Sequence, residues 1–251
     1  ALQQGLNNLS DSALAADSAE AASQTAALAA VALDPTAGAA SETEAAQKAQ
    51  AAARATFGNN PCVTATVDAA QASRVVYTLD ACTGPFGLVK TSGKLTATFT
   101  KSGSQFGVAL ASVDPLTING AKLSLAATVV QTGPQSPKVV TVTSTSTATG
   151  QLGRSITHAG NFSAAWDAAG CLTVNGNFST VDNGVTSSTT LAEVRRCMSA
   201  CPAGGTATLT AITLGGARTI QVTYNGTRTP GVTVTTATGQ QTGSILLLCG
   251  G

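Results

Sequence analysis

The sequence predicts a mainly β protein, an antiparallel β-sandwich or (half-)barrel preceded by an Ala-rich N-terminal helical hairpin. Three observations favour this fold class. Segments of alternating apolar and polar residues recur after residue 60, and Gly- and Pro-containing turn sequences separate them. The first 57 residues instead are rich in alanine, with apolar residues at helical spacing. We therefore expect a helical segment, 1–57, and a disulfide-stabilised antiparallel β domain, 58–251.

The first predicted helix lies near the start of the chain. Its apolar stripe begins at Leu2, Leu6 and Leu9 and continues in alanine and leucine toward Val31. Residues 34–38, Asp-Pro-Thr-Ala-Gly, are expected to end the helix, because proline cannot continue it and glycine permits the turn.

The second predicted helix runs from Ser41 to about Thr56. Ser41 and Glu44 have the spacing of a capping box, in which each side chain bonds a backbone N–H at the start of a helix. An alanine-rich stripe buries little apolar area per residue, so an isolated helix pair of this kind would be marginally stable. We expect these helices to pack on the β domain or on another copy of the protein.

The β domain is predicted from strands with a period of two. The clearest alternating segments are 63–67, 94–100, 123–125, 139–149, 206–214, 219–224 and 232–236. Four Asn-Gly dipeptides, at 119–120, 175–176, 183–184 and 225–226, are typical of tight hairpin turns. One segment, 191–200, interrupts the alternation and is predicted to form one or two helical turns. Strands at hairpin spacing favour antiparallel pairing over a βαβ arrangement.

A four-residue repeat occurs inside the β domain. Gly-Asn-Phe-Ser occupies residues 160–163 and again 176–179. One short repeat is too little for a solenoid. It predicts instead two adjacent strands that place Phe162 and Phe178 in one core.

The cysteines predict disulfides and an extracytoplasmic location. They are Cys62, Cys82, Cys171, Cys197, Cys201 and Cys249. Most are widely separated, and the single short spacing is Cys197 to Cys201. It has no histidine beside it, which disfavours a zinc site. It is also one residue too long for the Cys-x-x-Cys motif of thioredoxin-type chemistry. We expect a Cys62–Cys82 bond, with the other four paired among themselves in an order that the sequence leaves open. Disulfides favour a periplasmic, cell-surface or secreted protein.

The ends of the chain bear on membrane association. A start at Ala1 fits a mature chain from which a signal peptide was removed. The longest apolar runs, 26–33 and 245–249, are far shorter than the roughly 20 residues of a membrane-spanning helix. We expect no membrane span and leave open a lipid anchor upstream of Ala1.

No catalytic, cofactor-binding or metal-binding site is predicted. The sequence lacks nucleophile-elbow, phosphate-loop, dinucleotide and zinc-protease motifs, and its one histidine, His158, is interpreted as structural. Asp114, Asp167 and Asp182 lie in turn sequences, where aspartate is common. A role in turns explains these residues better than a role as paired catalytic carboxylates in glycoside hydrolysis. Net charge is +1 and aromatic residues make up 4%, which argues against a nucleic-acid partner. We expect a protein that is not an enzyme and needs no cofactor.

The composition favours a structural role. Charged residues make up only 10% of the chain, and weak self-repulsion makes association easier. We therefore expect an extracellular or cell-surface structural protein of bacterial type, a homo-oligomer or polymer that forms a filament or coat. The assembly candidates are Leu2, Leu6, Leu9, Ile245, Leu246 and Leu247. The alternative is a monomeric, surface-tethered module whose curved sheet binds an apolar ligand such as a lipid.

Overall fold

A computed structural model describes residues 38–56, 62–82, 91–103, 105–118, 121–131, 138–149, 155–169, 171–182, 185–197, 200–213 and 216–247. These residues form one helix, α1, and 14 β-strands. The helix is Glu42–Thr56. The strands are β1 Val63–Val67, β2 Arg74–Cys82, β3 Thr91–Ser102, β4 Gln105–Ser112, β5 Leu116–Ile118, β6 Ala121–Gln131, β7 Lys138–Thr149, β8 Ser155–Trp166, β9 Cys171–Asp182, β10 Val185–Cys197, β11 Gly204–Thr213, β12 Gly216–Thr223, β13 Gly231–Thr236 and β14 Gly239–Ser244.

The strands form a single antiparallel sheet in which almost every strand pairs with its neighbours in sequence. The exception is β5, which pairs with β3 and β6, while β4 pairs directly with β6. Every pairing in the sheet is antiparallel. The mainly antiparallel β class is therefore confirmed, whereas the choice between a sandwich and a half-barrel stays a prediction.

Alternate residues bury one face of this sheet. Val75, Tyr77 and Leu79 of β2 are buried, and the residues between them are more exposed. The same alternation continues through the sheet as far as Val232 and Val234 of β13. The buried residues belong to one connected cluster, so the strands share one core. We refer to the buried side as the inner face and to the other as the outer face.

Helix α1 begins at the predicted capping box. The Glu44 backbone N–H donates to Ser41 Oγ at 3.2 Å, and the Ala40 backbone N–H donates to Glu44 Oε2 at 2.7 Å. The helix contacts β1, β2 and β3. Among its side chains that the structure describes, residues 42–53, the buried ones are all alanines, namely Ala45, Ala46, Ala49 and Ala53. The second predicted helix is thus confirmed and packs on the β domain, while the first lies outside the described residues.

Two predicted breaks in the strands are wrong. Asn175-Gly176 lies in the middle of β9 rather than in a turn, and residues 191–197 continue β10 rather than forming helical turns. In β10 a β-bulge shifts the register with β11 between Ala192 and Arg195, and Glu193 has a φ of 52°. The bulge displaces the alternation by one residue, which explains why the segment reads as a break in the sequence.

The other Asn-Gly dipeptides have varied outcomes. Asn225-Gly226 belongs to a longer connection, residues 224–230, rather than to a two-residue turn. The Asn225 side chain accepts a hydrogen bond from the Thr227 backbone N–H at 3.0 Å, which closes the first part of that connection. The dipeptides at 119–120 and 183–184 lie outside the described residues.

The Gly-Asn-Phe-Ser repeat has a simple structural basis. The two copies pair in register, so that Gly160 faces Phe178 and Phe162 faces Gly176 across β8 and β9. The two phenylalanine rings lie 5.5 Å apart between centroids, which confirms the prediction of a shared core. Gly160 leaves room on the inner face for the Phe178 ring, and Gly176 leaves room for the close approach of the β8 backbone and Phe162 Cβ.

The predicted Cys62–Cys82 disulfide is confirmed, and Cys171 pairs with Cys197. Cys201 is also disulfide-bonded, and Cys249 lies outside the described residues. The first bond joins the residue before β1 to the last residue of β2, and the second joins β9 to β10. Disulfides of this kind indicate an oxidising, extracytoplasmic environment.

Candidate assembly edges of the sheet

The two ends of the sheet are formed by β1 and β14, which we call the end strands. Within the described part of the chain, β1 pairs only with β2, and β14 pairs only with β13. Every second residue of an end strand therefore directs a backbone N–H and C=O away from the sheet. Such a row of donors and acceptors is a template for pairing with another strand.

Strand β14 is exposed on both of its faces. All six of its residues, Gly-Gln-Gln-Thr-Gly-Ser, are exposed. Gly239, Gln241 and Gly243 pair with the inner-face residues of β13, so they belong to the inner face. Strand β13 buries Val232 and Val234 on that face, whereas the neighbouring residues of β14 remain uncovered.

Strand β1 has a helix beside its inner face. Val63 is buried, Ala65 and Val67 are half-buried, and Thr64 and Thr66 are exposed. A groove of about 390 Å³ lies between this strand and helix α1. The groove is lined by Gln47, Gln50, Ala51, Ala53, Thr64 and Ala65.

Neither end strand has the sequence features that usually protect an edge against pairing. Edge strands of monomeric proteins are often interrupted by proline, by a bulge or by charged residues, lysine above all. Val-Thr-Ala-Thr-Val in β1 and Gly-Gln-Gln-Thr-Gly-Ser in β14 contain no charged residue and no proline, and both pair in an unbroken register. Within the described residues, the sequences of both strands allow an additional strand to pair.

Part of the outer face of the sheet carries no charge that would repel a second copy of the protein. One register row crosses it from β6 to β14 through uncharged polar residues only. The row consists of Thr128, Thr143, Asn161, Asn177, Thr190, Thr208, Gln221, Thr233 and Thr242. Hydroxyl and amide groups both donate and accept hydrogen bonds, so this row brings no like charges against a second copy.

Charge is divided between the two ends of the chain. Residues 38–82, which include α1, β1 and β2, contain four acidic and three basic residues, whereas residues 200–247 contain two arginines and no acidic residue. Near β14, Arg218 lies in the same cross-strand row as Thr236 and Gly239. The α1–β1 end and the β14 end therefore carry net charges of opposite sign.

Carboxylates at the α1–β1 end are stabilised in their charged form. A hydrogen bond from the Ala40 backbone N–H, followed by the Lys48 ammonium, lowers the pKa of Glu44. A hydrogen bond from the Ala70 backbone N–H, followed by the Arg74 guanidinium, lowers the pKa of Asp68. Both groups stay ionised well below neutral pH.

The predicted assembly candidates have mixed positions. Ile245 and Leu247 are partly buried against the core, and Leu246 is 67% exposed. The described part of the apolar run 245–249 is not a strand, because β14 ends at Ser244 and the Leu247 backbone N–H donates to Arg228 O at 2.7 Å. Leu2, Leu6 and Leu9 lie outside the described residues.

His158 lies on the inner face, within a polar row across four strands. It pairs with Ser146 of β7 and Thr180 of β9, and Thr180 pairs with Ser187 of β10. Its Nδ1 lies 2.8 Å from Thr180 Oγ1, and its ring stacks on Phe178 at 4.8 Å between centroids. Burial lowers the pKa of the imidazole, because the cation is poorly solvated there.

The position of His158 predicts a pH-dependent stability. The unfolded chain takes up a proton below pH 6.5, which the folded chain resists, so the folded state loses stability as pH falls below 6.5. His158→Gln is expected to flatten this dependence between about pH 7 and pH 5. Urea unfolding of both proteins across that range measures it. An equal slope for the variant and the parent protein would contradict the assignment.

The remaining candidates for chemistry have structural explanations. Asp167 accepts hydrogen bonds from the Ala169 and Cys171 backbone N–H groups and from Arg195, which orders the connection between β8 and β9. Within the described ranges, no three or more His, Cys, Asp or Glu side chains come together as metal ligands would. Of the helical residues in those ranges, none form a segment of the length and apolarity that crossing a membrane requires.

Comparison with known proteins identifies no relative. The chain matches no protein-family model, no curated protein and no solved structure.

Proposed function

We propose that the protein is an extracellular or cell-surface structural subunit that assembles with copies of itself through the end strands of its sheet. The observation that carries this proposal is the state of β1 and β14. Both are uncharged, free of proline and unpaired on one side within the described residues. Strand addition supplies main-chain hydrogen bonds at such an edge without requiring a preformed pocket.

Two further observations support association. The disulfides suit an extracytoplasmic protein that must persist without chaperones or cellular reductants. Charged residues make up only 10% of the chain, and those present divide by sign between its two ends. Oppositely charged ends attract one another, which favours an end-to-end arrangement over a random one.

A lipid-binding module is the weaker proposal. Sites for apolar ligands are lined mainly by large aliphatic and aromatic side chains. The groove between α1 and β1 is lined by glutamine, alanine and threonine. Its chemistry fits a polypeptide backbone better than an acyl chain.

Electron microscopy of the purified chain tests the proposal. We expect regular filaments or sheets when the native protein is concentrated at neutral pH. A matched sample treated with reductant is expected to assemble less, because loss of the Cys62–Cys82 bond removes the covalent link between the start of β1 and the end of β2 and destabilises that edge. Dispersed particles with the mass of one chain, at every concentration tested, would remove the structural role.

A further inference from the structure

We infer that β14 of one copy pairs in parallel with β1 of the next, beneath the edge of helix α1, so that the subunits join head to tail. This inference rests on the proposed function and specifies its interface. It assigns one occupant, a second copy of this chain, to the groove between α1 and β1. It also excludes a symmetric contact between two β14 strands.

The inner-face residues of β14 suit the space beside α1. An added strand that continues the sheet past β1 places its inner-face side chains against the helix that covers β1–β3. In β14 these residues are Gly239, Gln241 and Gly243, two of which have no side chain to clash with the helix. The third, Gln241, carries an amide that can donate to and accept from Gln47 and Gln50, which line the groove.

Each end also lacks what the other provides. The inner face of β14 is exposed, although the strands beside it bury theirs. The inner face of β1 lies under a helix with a groove of about 390 Å³ at its open side. Joining β14 to β1 would cover the exposed inner face of β14 and fill the groove between α1 and β1.

The sheet topology decides the direction of this pairing. The hydrogen-bonded path from β1 to β14 contains 13 strands, each antiparallel to the next, so its first and last strands run in the same direction. A copy that continues the sheet with the same face inward therefore meets β1 in parallel. Two β14 strands related by a two-fold axis would instead pair antiparallel.

Charge favours the head-to-tail pairing over the two-fold one. Antiparallel ladders are slightly more stable per residue than parallel ones, so hydrogen bonding alone favours two β14 strands meeting. That contact would bring together two ends that carry arginine without acidic residues. The head-to-tail contact instead joins an arginine-bearing end to an acidic one. A contact between different surfaces repeats without closing, so it yields filaments.

Engineered cysteines on the outer face test the pairing. Thr66→Cys on β1 and Thr242→Cys on β14 replace exposed residues and leave the inner face unchanged. The two full-length variants are assembled together and separately, then oxidised mildly with the native disulfides intact. Thr143→Cys, exposed in the centre of the sheet, is the control. Neighbouring positions, Thr64→Cys and Gln240→Cys, cover a shift of register.

The outcomes separate this inference from the proposed function. We expect a cross-linked dimer when the β1 variant and the β14 variant are mixed. We expect little cross-linked dimer when either variant is assembled alone. Polymers in which a β14 variant cross-links to itself would overturn the head-to-tail interface and leave the structural role standing. Polymers that form no cross-link from any pair of end-strand positions would also overturn the head-to-tail interface and leave the structural role standing. Absence of polymers would overturn both.

Discussion

Gln241→Glu is expected to abolish assembly and to leave the folded monomer intact. Gln241 is exposed on the end strand, so a carboxylate there is solvated in the monomer and changes its stability by less than about 0.5 kcal/mol. In the proposed interface the same side chain lies against Gln47 and Gln50 at the edge of α1. A carboxylate placed there loses part of its hydration and faces an end of the same sign of charge, and both effects oppose pairing.

The control for this variant lies one strand further in. Thr235→Glu adds the same charge at an exposed outer-face position of β13, which already has neighbours on both sides. Sedimentation velocity and electron microscopy, each at matched protein concentrations, compare both variants with the parent chain. We expect monomers for Gln241→Glu and filaments for Thr235→Glu. Equal assembly by both variants would exclude β14 from the interface.

Gly176→Ala is expected to lower the free energy of unfolding by about 3 kcal/mol, at the upper end of the usual cost of overpacking. A Cβ at this position would lie 2.3 Å from Phe162 Cβ and 2.5 Å from the Asn161 carbonyl oxygen. The second neighbour is backbone in the paired strand β8, so it cannot move aside without breaking the ladder. The clash therefore strains the register that the Gly-Asn-Phe-Ser repeat sets.

Gly231→Ala is the matched control for this stability effect. Gly231 also lies in a strand, β13, and a Cβ there would meet nothing within 4 Å. Its substitution is expected to change stability by less than about 1 kcal/mol. Urea denaturation gives both values from the shift of the midpoint at constant slope. If Gly176→Ala lowers the free energy of unfolding no more than Gly231→Ala does, the close approach of Gly176 to β8 is not rigid.

The fold class was predictable from the sequence because most strands have one buried face. Alternation marks strands such as β7 and β11, and the capping box marks the start of α1. The order of the strands in the sheet was harder to predict from the sequence. Hairpin spacing predicts antiparallel neighbours, but whether the sheet closes, splits or continues depends on twist and packing far apart in sequence.

The errors arise where a local pattern has a non-local cause. Asn175-Gly176 resembles a turn, yet Gly176 is required by Phe162 on the neighbouring strand. The bulge at Ala192 and Glu193 displaces the alternation of β10, so the segment reads as an interruption.

The edges of the sheet are the part of the candidate site that the sequence signals least. Strand β14 buries neither face and so has no apolar periodicity to reveal it. The apolar run 245–247 has the stronger sequence signal, but Ile245 and Leu247 pack against the core. A signal was present in the run of uncharged, proline-free polar residues at 239–244, which is atypical of a protected edge.

Amide hydrogen exchange on assembled and dispersed protein tests the central claim most directly, because it reads the backbone groups that the end strands would share. We expect the amides of β1 and β14 to exchange rapidly in the monomer and to become strongly protected in the polymer. Amides of central strands such as β8 and β9 are expected to be protected in both states. Unchanged exchange in β1 and β14 on assembly would contradict the account.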